Sequence, residues 1–94
     1  MDTKIFAVQY VYHPERSEEV ARVRPDHRMF LRELYERGDL LASGPTDNGK
    51  ALIIVRAQDS HGALELLDAD PMRIANVIVE RSAHAWNPVI GPWA

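Results

Sequence analysis

His27 closes the stretch "VRPDH", residues 23–27, and the residues after it, up to Gly38, have the spacing of an amphipathic helix. An imidazole titrates near neutrality, so an inward-facing histidine is a natural acid–base group for a small enzyme. On a helical wheel His27 falls within about 60° of Phe30, Leu31 and Leu34, which places it on the inward side. The plain alternative is a half-buried structural histidine bonded to a backbone carbonyl. A working histidine needs a partner that fixes its tautomer. Asp70, in "DADPM", is held out of a helix by Pro71 and is the best candidate. Asp26 and Asp39 are the other two, and spacing alone does not choose among the three. Pro25 suits the first turn of a helix, so His27 is expected at a helix start, where free N–H groups attract anions. Arg24 would add positive charge beside it.

These groups need elements to hold them. Lys4 to Tyr12 reads as a strand that breaks at His13-Pro14. Glu15 to Arg22 is charged and is expected to hold a short helical turn. The first full helix is expected from Pro25 to Arg37, ended by Gly38. "DLLASGP" reads as a strand closed by Gly44-Pro45, whose bare backbone would let a ligand approach. Asn48-Gly49 is the strongest hairpin signal and predicts positive φ at one or both residues. Ala51 to Ala57 is the returning strand. Asp59 or Ser60 caps a second helix, His61 to about Ala69, which must end before Pro71. Met72 to Ala75 is expected as one more turn, Asn76 to Ser82 as a fourth strand, and "HAWNPVIGPWA" as an extended, docked tail. The order β-α-β-β-α-β predicts an α+β, ferredoxin-like fold: a four-stranded antiparallel sheet with two helices on one face. Residues 1–94 are expected to form one domain.

The first and third strands are apolar on both faces, with Ile5, Ala7 and Val11 backing Phe6 and Val8, and Leu52 and Ile54 backing Ile53 and Val55. Large apolar patches are uncommon on monomers, so the pattern predicts a homodimer through the sheet faces. A monomer whose tail covers the sheet is the other option.

Composition removes several classes. There are no cysteines, hence no disulfides, thiolate nucleophiles or cysteine-ligated metals. The formal net charge is -3 and no basic stripe is interleaved with aromatics, which argues against nucleic acid as a partner. No stretch approaches the ~20 apolar residues of a membrane span, and the N-terminus lacks the pattern of a signal peptide, so a cytoplasmic location is expected. His13, His61 and His84 show no ligand spacing, and no metal site is expected. No G-x-S-x-G motif or phosphate-binding glycine loop is present. Trp86 and Trp93 read as packing anchors of the tail.

"VRPDH", then "GDLLASGP", then an apolar strand, then a helix ending in "DADPM" resembles, in order and spacing, the YciI-like (YCII-related domain) family. The resemblance runs from Ile5 to about Val89. It implies a dimeric α/β barrel and an active site built on a His–Asp pair. Carried onto this chain, the pair is His27 and Asp70, with Arg24, Gly44, Pro45 and Pro71 contributing to the same pocket. The loop "PTDNGK" is shorter than in relatives that carry an insert, and Met72 stands where an aromatic is common. The implied function is a small cofactor-free enzyme performing acid–base elimination or isomerisation on a small aromatic or lactone metabolite. A non-catalytic ligand-binding dimer and a haem-binding barrel are the alternatives.

Overall fold

The computed structural model describes residues 3–94. Four strands, β1 (Lys4–Tyr12), β2 (Leu40–Thr46), β3 (Lys50–Ala57) and β4 (Ile78–Ala85), form one antiparallel sheet in the order β2-β3-β1-β4. Helices α1 (Ser17–Glu36), α2 (Ser60–Leu66) and α3 (Pro71–Ile74) accompany them. This is the ferredoxin-like arrangement. β1 and β3 take the centre because their Phe6, Val8, Tyr10, Ile53 and Val55 are the side chains the helices cover. α1 lies over β2 and against α3, while α2 lies over β4, β3 and β1.

α1 differs from the expectation. It begins at Ser17, eight residues before Pro25, and runs through the proline. The reason is the buried stripe Val20, His27, Leu31 and Leu34, which starts before the proline and continues past it on one face. Pro25 removes only the bond to the carbonyl of Ala21. Ala21 is exposed, so water can satisfy that carbonyl. The far end follows expectation: Gly38 takes φ 87°. Its N–H donates to the Tyr35 carbonyl and the Asp39 N–H to the Leu34 carbonyl, respectively the five-to-two and six-to-one bonds of a glycine helix stop.

The second crossover is broken. α2 ends at Leu66, short of the expected Ala69, and α3 restarts at Pro71. Asp70 between them is extended (φ -58°, ψ 128°), as a residue before proline prefers. The hairpin carries positive φ at both Asn48 (61°) and Gly49 (70°). β4 is displaced towards the C-terminus: Asn76, with φ 59°, and Val77 precede it, and His84 and Ala85 belong to it. Gly44 and Pro45 do not close β2. They lie within it, paired with Leu52 and Ala51. A proline, which has no N–H to donate, is tolerated there because β2 is an edge strand with no outer neighbour to bond. Both edge strands hold one extra residue: the β2 register slips at Leu41 and the β4 register at Val79.

On the face away from the helices, Ile5 and Ile54 are buried, Ala7 and Val11 half-buried, and Leu52 is exposed. The tail leaves β4 with the Trp86 N–H on the Ile5 carbonyl and folds so that Trp93 meets Trp86 edge to face. Val89 and Ile90 remain exposed.

Candidate active site

Asp70 is fully buried, and both of its carboxylate oxygens are hydrogen-bonded. The Met72 N–H donates to Oδ1 at 2.9 Å, capping α3. The Tyr10 hydroxyl donates to Oδ2 at 2.9 Å. His27 Nδ1 lies 2.8 Å from Oδ1 and 2.9 Å from Oδ2. Three elements therefore converge on one carboxylate: β1 through Tyr10, α1 through His27, and the α2–α3 break through Asp70 itself. Asp26 and Asp39 are elsewhere. Asp39 is held by Arg37, and Asp26 is exposed.

An ionised carboxylate only accepts, so Nδ1 of His27 is the protonated nitrogen and the lone pair of the neutral ring sits on Nε2. Among the described residues no group bonds Nε2, and no fully enclosed side-chain nitrogen or oxygen lacks a partner. Nε2 is therefore the part of the ring reached from outside. His27 lines a cavity of about 380 Å³ between α1 and the β2–β3 half of the sheet. That lies within the usual range for a small-molecule site.

His27, Leu31, Ala51 and Ile53 belong to the wall of this cavity, Tyr12 and Arg24 stand at one side, and Ser43, Gly44 and Pro45 form the β2 side. A side chain at Gly44 would meet no atom within 4 Å, so the strand is open there. Arg28, Arg32 and Tyr35 also line the opening. Burial pushes the Tyr12 phenol up to about 12; the charge of Asp70 adds to this and Arg24 opposes it. Burial, then the charge of Asp70 and the bond to it, push the Tyr10 phenol well above its ordinary range. Both phenols are O–H donors at neutral pH.

Of the residues marked out in the sequence, His27, Arg24, Gly44 and Pro45 share the cavity, and Asp70 sits directly behind His27. Pro71 is not on the cavity wall. As the first residue of α3 it holds Asp70 in extended geometry instead. The expectation that His27 stands at a helix start is overturned: it is the eleventh residue of α1, about 15 Å from the free N–H groups at Ser17. Side chains, not helix N–H groups, supply the positive charge. Tyr10 and Tyr12 were not among the expected site residues, because in a strand they read as core. Their signal was alternation: both lie on the face that carries Phe6 and Val8. Arg28 and Arg32 are polar positions of an amphipathic helix, and only the packing of α1 against β2 brings them to the opening. A second cavity, of about 460 Å³, lies between the tail and the start of β1, lined by Ile5, Arg56, Trp86 and Trp93; among the described residues no acid–base pair faces it.

The family model described as YCII-related domain matches residues 5–87. Among solved structures, the chain is similar to 5-chloro-2-hydroxyhydroquinone dehydrochlorinase from Burkholderia phenoliruptrix AC1100, in complex with 2,5-dihydroxybenzoquinone. The TM-score is 0.76 at 16% identity, covering 88% of this chain and 93% of that one. It is also similar to a candidate antibiotic biosynthesis monooxygenase from Bacteroides thetaiotaomicron, with TM-score 0.60 at 10% identity, covering 97% of this chain and 93% of that one. A third, of the same description, comes from Nitrosomonas europaea, with TM-score 0.53 at 11% identity, covering 93% of this chain and 90% of that one. At these identities the likeness is one of fold. No curated protein matches the chain by sequence.

Proposed function

This chain belongs to the YCII-related domain family, and from that premise we propose that it is a small acid–base enzyme acting on a planar, oxygenated metabolite. The observation that carries this reading is the His27 ring on the cavity wall, held at Nδ1 by a buried carboxylate at 2.8 Å, with Nε2 bonded by no group among the described residues. Nε2 takes a proton from the substrate. Asp70 keeps the ring oriented and stabilises the imidazolium that forms. Arg24 and the Tyr12 hydroxyl stand on the same cavity and balance the charge that develops on a substrate oxygen. The electron pair left behind either expels a leaving group or returns to another carbon with the proton. Either course is redox-neutral and completes an elimination or an isomerisation. The dehydrochlorinase of similar fold, with its bound 2,5-dihydroxybenzoquinone, supports a small oxygenated ring as the substrate class.

The test is a screen of hydroxylated and halogenated aromatics and small lactones with wild type, His27→Gln and Asp70→Asn. A turned-over compound should lose about 10²–10⁴-fold in rate in the histidine variant. A His27→Gln protein as fast as wild type would overturn the assignment.

The same reading includes a homodimer joined through the sheet faces. It rests on Ile5, Ala7, Val11, Leu52 and Ile54, an apolar set on the face that the helices do not cover. Sedimentation at micromolar concentration should give twice the monomer mass, and Leu52→Glu should give the monomer. A monomeric wild type would refute it.

A further inference from the structure

The chain has nine arginines, and their partners divide them. Arg22 pairs with Glu19, Arg37 with Asp39, and Arg73 and Arg81 with Asp68. Arg16 donates to the carbonyls of Ala75 and Asn76. The remaining four, Arg24, Arg28, Arg32 and Arg56, pair with no carboxylate among the described residues. Three of these four line the His27 cavity, whose wall has no aspartate or glutamate among the described residues.

This chain has more acids than bases, 14 against 11, yet none of the described acids pairs with these three arginines. Arg24, Arg28 and Arg32 recur every fourth residue of α1, so they form one row about 12 Å long. His27 lies beside the row, one residue before Arg28, and Arg24 is the member close to Tyr12. Arg24 is thus placed for an oxygen at the reacting end. Arg28 and Arg32, further along and exposed, are not needed there.

We propose that Arg28 and Arg32 are specificity-determining residues that hold a second, permanently anionic substituent of the substrate, a carboxylate carried on the ring away from the reacting oxygen. This rests on the His27 cavity being a substrate site and narrows its substrate class from oxygenated rings to ring carboxylates. Arginine suits the task because its planar fork meets a carboxylate with two parallel N–H donors.

The experiment compares two probes of the same shape, 2,5-dihydroxybenzoate and the neutral 2,5-dihydroxybenzyl alcohol, titrated into the intact protein at low salt. Amide and side-chain NMR shifts would be followed. The wild type should bind the carboxylate at least about tenfold more tightly, the size of one charge-assisted contact. The Arg28→Gln/Arg32→Gln protein should lose that advantage and keep its affinity for the alcohol. Both sites are exposed and glutamine is a good helix former, so a melting curve should show the fold intact. An Arg22→Gln/Arg56→Gln protein has the same change in net charge outside the cavity and should keep the preference. Equal binding of the two probes by wild type would overturn the arginine assignment alone. So would loss of preference in the control double variant, which would assign the effect to overall charge. If neither probe shifts Tyr12 or His27 resonances, the cavity itself is not the substrate site, and both readings fall.

Discussion

The two crossovers of this sheet do the same topological work with unlike means. The first is a helix of 20 residues that runs unbroken through a proline. The second is split into 7 and 4 residues, α2 and α3. The difference matters because a continuous helix presents side chains only. A broken one also presents a cap, a residue with extended backbone whose side chain folds back on the free N–H groups. α1 supplies an imidazole from its buried stripe. The break supplies Asp70, which caps α3 through the Met72 N–H and orients His27 with the same carboxylate. Stability and candidate chemistry are therefore shared at Asp70 and separate at most positions of α1.

Removing the shared group should have the largest effect. Asp70→Ala leaves the Tyr10 hydroxyl, the Met72 N–H and the Nδ1 proton of His27 without an acceptor in the interior. It should lower stability by about 3–5 kcal/mol in a urea titration. A loss near 1 kcal/mol would mean that Asp70 is only a cap. The unbroken crossover should respond in the opposite sense. Pro25→Ala restores the bond to the Ala21 carbonyl and should raise stability by about 2 kcal/mol. A destabilised variant would show that the proline has a conformational task in α1. Asp59 provides the reference, since it caps α2 through the Gly62 N–H at an exposed site and touches no histidine. Asp59→Ala should cost about 1 kcal/mol, the ordinary effect of a lost cap. The gap between the two aspartates then measures what Asp70 does beyond capping.

The smallest expected effect is an alkaline one. A phenol whose folded value is raised adds stability below its unfolded value of about 10, and this is lost as pH climbs towards the folded value of about 12 for Tyr12. Stability should decline across that window, and Tyr12→Phe should make the decline shallower, read from urea midpoints alongside phenolate absorbance. An unchanged slope would place Tyr12 in water rather than beside Asp70.

Much of this was legible from residue order. β1 was bounded correctly because nine residues of alternating β-formers end at His13-Pro14. The glycine stop at Gly38 and the positive φ at Asn48-Gly49 follow from local sterics. The pairing of His27 with Asp70 was not legible from spacing, because the two are 43 residues apart and Asp26 and Asp39 competed. Motif order favoured Asp70, and the break at Pro71 is what aims it. The start of α1 is not legible locally, because Pro25 marks a helix start by its own geometry while α1 begins at Ser17 and buries Val20. Burial of the whole stripe on the sheet outweighs one missing hydrogen bond. The Tyr10–Asp70 bond joins residues 60 apart. It needed the strand order, which a single sequence does not carry.

The extra residue in each outer strand, Leu41 in β2 and Val79 in β4, bears on how copies of this protein meet at high concentration. A flat outer strand is a template on which another chain can zip, leading to fibrils. A slipped register twists the strand and staggers its exposed N–H and C=O groups, and Pro45 removes one donor from β2 altogether. Both ends of the sheet are thus poor seeds for amyloid-like growth. A concentrated solution of this protein is expected to resist thioflavin-positive aggregation, and substitutions that regularise either outer strand are where that resistance should fail first.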